Sequence, residues 1–169
     1  MASAEGHVAL RGLYAITPET MDTARLLLMV GEAIAGGARL VQYRAKNLAR
    51  DVRLVQAGGL LRICRDSRIP FIVNDDVDLA VAIQADGVHL GRDDADPRDV
   101  RQRLPHAIIG VSCYDLPHLA ALAAAAGADY VGVGSIFASP TKPGAVRAGL
   151  GALAQARQAG GVPVAAIGG

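Results

Sequence analysis

Short apolar runs rich in Val and Ile alternate along the chain with longer stretches rich in Ala, Leu and Arg. The short runs occupy residues 13–16, 40–43, 71–73, 88–90, 108–111, 130–133 and 164–167. Because successive positions in them are apolar, they predict strands buried on both faces. The intervening segments carry apolar residues at helical spacing, as in Leu26, Leu27, Val30 and Ile34, and again in Val52, Val55, Leu60 and Ile63, with arginines on the opposite faces. Asp96 followed by Pro97, and Leu116 followed by Pro117, place proline where a first helical turn tolerates it. Gly36-Gly37, Gly127 and Gly160-Gly161 fit helix ends.

Strict strand–helix alternation implies parallel strands with right-handed crossovers, hence either an open doubly wound sheet or a closed barrel. An open nucleotide-binding sheet would carry a glycine-rich turn after its first strand, whereas residues 13–18 read LYAITP. The expectation is therefore a single α/β domain over 1–169, a (β/α)8 TIM barrel. Such barrels run to about 250 residues and rarely fall below about 200. This chain has 169 and stops just past the seventh run. The expected barrel is accordingly truncated after its seventh strand, lacking the eighth strand and its helices and leaving the first and seventh strands with unpaired edges. The natural product is expected to be longer, or its remaining part disordered.

Composition narrows the function classes. A chain that is 51% hydrophobic can build one sizeable core. Seventeen basic against sixteen acidic residues argue against nucleic acid or an acidic membrane as the main partner. The first residues lack a secretory pattern and no apolar run reaches about eighteen residues, so a cytoplasmic protein is expected. Cys64 and Cys113 lack the spacing of a disulfide framework or zinc site and are expected to be plain thiols.

Chemistry-bearing residues follow the predicted strands, where barrel active sites form. After the second strand, Gln42, Arg44 and Lys46 alternate, so in an extended segment they share a face. Two cations there need anions, supplied either by a diphosphate or by carboxylates of neighbouring strands. Asp75 and Asp94, directly after the third and fourth strands, make an oxygen pocket suited to Mg²⁺. Their neighbours Asp76 and Asp93 read as helix caps. His89, between apolar strand residues, reads as a hydrogen-bonded core histidine. After the sixth strand, Ser139, Thr141 and Lys142 suit a phosphate, Ser112 adds a hydroxyl at the same rim, and Gly168 lies where barrels bind phosphate on backbone N–H groups.

The segments LYAIT, VQYRAK, PFIVNDD, ADGVHLGRDD, IIGVSCYD, GADYVGVGSIF, SPTK and PVAAIGG, in this order and spacing, resemble the thiamine phosphate synthases over nearly the whole chain. The resemblance implies a Mg²⁺-dependent transferase joining hydroxymethylpyrimidine diphosphate to thiazole phosphate. By it, Gln42, Arg44, Lys46, Asn74, Ser112 and Lys142 would hold the pyrimidine diphosphate, with Arg44, Lys46 and Lys142 acting on the departing anion. Asp75 and Asp94 would bind Mg²⁺, while Ser139, Thr141 and Gly168 would hold the thiazole phosphate. A homo-oligomer is compatible with this reading.

The sequence departs from the family pattern at Arg92, where many relatives have glutamine, at Ser135, where proline is frequent, and at Ser139, where threonine is usual. Two alternatives stand beside the main reading. A related thiazole tautomerase shares the QxRxK stretch, but it replaces the acidic residues and carries a histidine after the fifth strand, where this chain has Ser112-Cys113-Tyr114. A noncatalytic phosphate-ligand binding protein is the other.

Overall fold

A computed structural model describes residues 10–137 and 147–168. Within them, strands and helices alternate as β1 (Leu13–Ile16), α1 (Thr23–Ala35), β2 (Ala38–Tyr43), α2 (Arg50–Asp66), β3 (Phe71–Asn74), α3 (Val77–Ile83), β4 (Gly87–Leu90), α4 (Pro97–Arg103), β5 (Ile108–Tyr114), α5 (His118–Ala125), β6 (Tyr130–Gly134), α6 (Leu150–Gly160) and β7 (Val164–Ile167). The seven strands form one sheet in the order β1-β2-β3-β4-β5-β6-β7, and every pair is parallel. An open doubly wound sheet would reverse strand order partway. Sequential order with right-handed crossovers instead curls the sheet into a nearly closed barrel.

The sheet's outer face builds the apolar core. Val41, Tyr43, Phe71, Val73, Val88, Leu90 and Ile109 pack with Leu26 and Val30 of α1 and with Ala57, Leu60, Leu61 and Cys64 of α2. Val131, Val133 and Cys113 pack against Ala120 and Ala123 of α5 and Ala156 of α6. Helix starts are fixed by side-chain caps, from Asp22 to the Arg25 amide, Asp76 to Leu79 and Asp96 to Arg98. The expected cap at Asp93 is therefore corrected: the turn extends to Asp96, whose following Pro97 starts the helix without needing a donor.

The apolar face of α2 also differs from expectation. Val55 is 65% exposed, because Gln56 is the residue that turns inward, accepting from the Tyr43 hydroxyl at 2.9 Å and donating to the Thr20 carbonyl at 2.9 Å. A buried amide with both ends bonded has replaced a simple aliphatic stripe.

The inner face is polar. Tyr14 and Tyr130 join hydroxyls at 2.7 Å, Gln42 Nε2 donates to Tyr14 at 2.8 Å, and His89 bridges Tyr130 and Ser112, each at 2.9 Å. Five strands thus meet in one chain of hydrogen bonds, so the inward-facing positions are not the continuous apolar surface that the runs imply. His89 is the hydrogen-bonded interior histidine expected of it, 4% exposed. Gly110 makes room for the Tyr130 ring, which a Cβ at that position would overlap.

Gly110→Ala should cost about 1–3 kcal/mol of stability, since the Tyr130 ring is tethered at its hydroxyl and cannot swing aside without breaking two hydrogen bonds. Urea denaturation reads this directly. An unchanged midpoint would mean that the ring is free to move.

Candidate active site

Local structure at the C-terminal strand ends is organised by the β1–α1 segment. Thr17, which is buried, accepts from the Arg44 amide at 3.0 Å through Oγ1, and Glu19 accepts from the amides of Lys46 and Asn47 at 3.0 and 2.9 Å. These bonds hold the Glu19 carboxyl below its ordinary range, the Lys46 amide being the largest cause. Because β2 ends at Tyr43, two-residue alternation does not extend to Lys46. The geometry of Arg44 and Lys46 comes from Thr17 and Glu19, neither of which stood out in the sequence. Gln42 remains within β2, 2% exposed, with its amide nitrogen committed to Tyr14.

Asp75 follows β3 with φ 63, a left-handed conformation that Asp adopts more readily than most residues. Its amide donates to the His89 carbonyl at 2.9 Å, which ties the β3 tip to β4. The Asp75 carboxylate lies 2.7 Å from Lys46 Nζ, and Asn74 and Asp94 are near enough to influence its ionisation. Asp94 in turn accepts from the Gly91 amide at 2.6 Å. Four of the expected residues, Lys46, Asn74, Asp75 and Asp94, therefore converge from three strand ends. Lys46 realises the ion-pair alternative, whereas Arg44 has no carboxylate partner among the described residues.

The two carboxyls are electrostatically unequal. Burial pushes Asp75 up, but Lys46 and the hydrogen bonds from Asp94 and Asn74 outweigh it and hold Asp75 below the usual carboxylate range. Burial and the neighbouring Asp75 carboxyl raise Asp94, against the Gly91 amide. Such a pair shares a proton or attracts a cation. No group of three or more His, Cys, Asp or Glu side chains is arranged to hold a metal among the described residues. Two carboxylates still fit Mg²⁺, which takes one or two of them and fills its shell with phosphate oxygens and water.

Ser112 lies on β5 beside a register irregularity, bonded to His89. Next to it, Tyr114 accepts from the Arg92 amide at 3.0 Å, and the Arg92 guanidinium sits 4.7 Å above the Tyr114 ring. Arg92, unusual for the family resemblance, is thereby held to β5. Asp94 and Ser112 line a cleft of about 520 Å³ that continues between the β4–α4 segment and α5. Gln42, Arg44, Lys46, Asn74 and Asp75 do not line it, so this cleft borders the charged cluster without containing it. The cluster is where opposite charges converge. Gly168, φ 104, ends β7 against Ser135, whose hydroxyl donates to the Phe137 carbonyl. Ser139, Thr141 and Lys142 lie outside the described residues.

Acidic and basic side chains gathered at the carboxyl ends of parallel barrel strands define a (β/α)-barrel enzyme, since such barrels form their active sites at that rim. The sequence profile described as thiamine monophosphate synthase matches residues 13–169, and the chain belongs to that family. It is 50% identical over 161 residues to a thiamine-phosphate synthase of Methylobacillus flagellatus, covering 95% of this chain and 77% of the relative. Identity to the thiamine-phosphate synthase of Chromobacterium violaceum is 54% over 159 residues, covering 94% and 76%. Among solved structures, thiamine phosphate pyrophosphorylase from Pyrococcus furiosus superposes with a TM-score of 0.81 at 36% identity, covering 93% of this chain and 74% of that one. The tautomerase and binding-protein alternatives draw no support from these relatives.

In metal-free buffer, Asp94→Asn should melt no lower than the parent protein, because the amide oxygen can keep the Gly91 contact while like-charge proximity to Asp75 disappears. Added Mg²⁺ should then raise the melting temperature of the parent but not of the variant. A variant that melts several degrees lower without metal would make the carboxyl pair a structural element.

Proposed function

We propose that this chain, a transferase of the thiamine-phosphate synthase family, moves a hydroxymethylpyrimidine group from its diphosphate to the nitrogen of a thiazole phosphate, with Mg²⁺ as cofactor. The carbon–oxygen bond to diphosphate breaks with its electron pair leaving on oxygen, and the thiazole nitrogen supplies the pair for the new carbon–nitrogen bond. Products are thiamine phosphate and diphosphate. No protein nucleophile is required, so the protein contributes positioning and charge.

The observation that carries this reading is the convergence of Lys46, Asp75 and Asp94 at three strand ends. Asp75 and Asp94 would hold the cation, which when bound would neutralise charge developing on the departing anion. Lys46, now paired with Asp75, would exchange that partner for a diphosphate oxygen once a cation occupies the carboxylates. Arg44, half-buried and without a carboxylate partner among the described residues, would bind the same anion, as its planar donor fork suits phosphate oxygens. Asn74 and Ser112 would add neutral contacts, and Gln42 would face the pyrimidine. The family resemblance assigns Lys142 to the diphosphate, and Ser139, Thr141 and Gly168 to the thiazole phosphate.

A cytoplasmic location belongs to the same proposal. It agrees with the buried, unpaired thiols of Cys64 and Cys113, and no helix among the described residues is long and apolar enough to cross a membrane.

Incubating the protein with both substrates and Mg²⁺ should yield thiamine phosphate and diphosphate in equal amounts, and EDTA should stop the reaction. Arg44→Ala should lower kcat by roughly a hundredfold or more if its guanidinium meets the anion mainly in the transition state, with little change in melting temperature. Tight binding of either substrate without diphosphate release would replace the catalytic reading by a binding one.

A further inference from the structure

The polar chain inside the barrel has a direction. Gln42 Nε2 can only donate, so the Tyr14 oxygen accepts from it at 2.8 Å and the single Tyr14 proton is left for Tyr130, 2.7 Å away. The Tyr130 oxygen then accepts from Tyr14, and its own proton needs an acceptor in a site only 2% exposed. That acceptor is His89 Nδ1 at 2.9 Å. An accepting Nδ1 carries no proton, so the neutral ring is protonated on Nε2 and donates to Ser112 Oγ at 2.9 Å. Ser112 has thus accepted from within, and its own hydroxyl proton is left for an acceptor outside the chain.

We propose that Gln42, Tyr14, Tyr130, His89 and Ser112 form a polarised relay that fixes the Ser112 hydroxyl as a hydrogen-bond donor toward the anion at the strand tips. Tyr14, Tyr130 and His89 are positioning residues in this arrangement. The inference rests on the reading above, in which Ser112 meets diphosphate. Burial favours the required protonation states, pushing Tyr14 up to about 12, Tyr130 well above the ordinary range and His89 down to about 4. The opposite polarity arises when the Gln42 amide turns over. Every bond then reverses, Ser112 donates inward to His89, and it presents only lone pairs outward, which repel an anion. The Gln42 amide therefore sets the sign of a contact on the far side of the barrel. Among the described residues the Gln42 side chain makes no other hydrogen bond than the one to Tyr14.

The test combines a spectroscopic and a thermodynamic readout. In protein labelled with ¹⁵N-histidine and free of ligands, long-range ¹H–¹⁵N correlations should show His89 as the Nε2–H tautomer. Tyr130→Phe removes the proton donated to Nδ1, so the Nδ1–H form should become populated. The same variant should weaken binding of inorganic diphosphate with Mg²⁺, measured by calorimetry, by about tenfold. In a Ser112→Ala background it should cause no further loss, since the relay acts only through that hydroxyl. Tyr14→Phe cuts the relay one link earlier and serves if Tyr130→Phe does not fold. An Nδ1–H tautomer in the parent protein would overturn the proposal, and so would losses that add independently of Ser112. If tautomer and binding behave as stated while the pyrimidine substrate is not turned over, the relay stands and the assigned reaction falls.

Discussion

The hydroxyl contact between Tyr14 and Tyr130 joins residues 116 positions apart in sequence, one on the first strand and one on the sixth. It crosses the interior of the curled sheet, and the two rings also meet edge to face with centroids 5.9 Å apart. Burying hydroxyls, an amide and an imidazole together is costly unless each finds a partner. Here each partner is supplied by a different strand, so the polar interior can be satisfied only when the strands are in register. Gly110 and Gly132 flank the aromatic and imidazole rings and leave the space they occupy. The barrel's shape and the placement of its strand tips are thus specified by the same few bonds.

Those tips carry charge that the barrel does not neutralise completely. Lys46 offsets Asp75, but Asp94 is pushed toward its protonated form by burial and by Asp75, and Arg44 lacks a carboxylate partner among the described residues. Clustered charge of both signs costs stability when it serves only structure. The proposed substrate, two phosphates brought together with a divalent cation, would satisfy both signs at once. This complementarity, more than any individual distance, is what connects the geometry to the proposed reaction.

Much of this was legible in the residue pattern. Strands β1 and β7 fall where the apolar runs predict them, and the others differ only at their ends. The acidic pair was legible because Asp75 and Asp94 directly follow strands. What escaped depends on contacts distant in sequence. Val55 reads as part of an apolar stripe, yet Gln56 takes the inward position because Tyr43 and Thr20 offer it both a donor and an acceptor. Asp93 resembles a cap as much as Asp96 does, and only the path of the turn decides between them. Thr17 and Glu19 look like ordinary loop residues until the β2–α2 segment lies across them. His89 was readable as a bonded interior histidine, but not the four residues with which it forms a chain.

At the opposite end of the barrel, carboxylates have a different occupation. Asp86 accepts from the Phe71 amide at 2.8 Å, and Asp129 accepts from the Ile109 amide and from Arg101, both at 2.7 Å. Arg101 also gathers the carbonyls of Ala107 and Gly127, so the entrances to β5 and β6 are clamped by one guanidinium. Aspartates preceding strands consequently serve as masonry, whereas Asp75 and Asp94, which follow β3 and β4, are left for the proposed chemistry. A designer wishing to graft new catalysis onto this scaffold could redraw the loops at one rim while leaving the foundation at the other untouched.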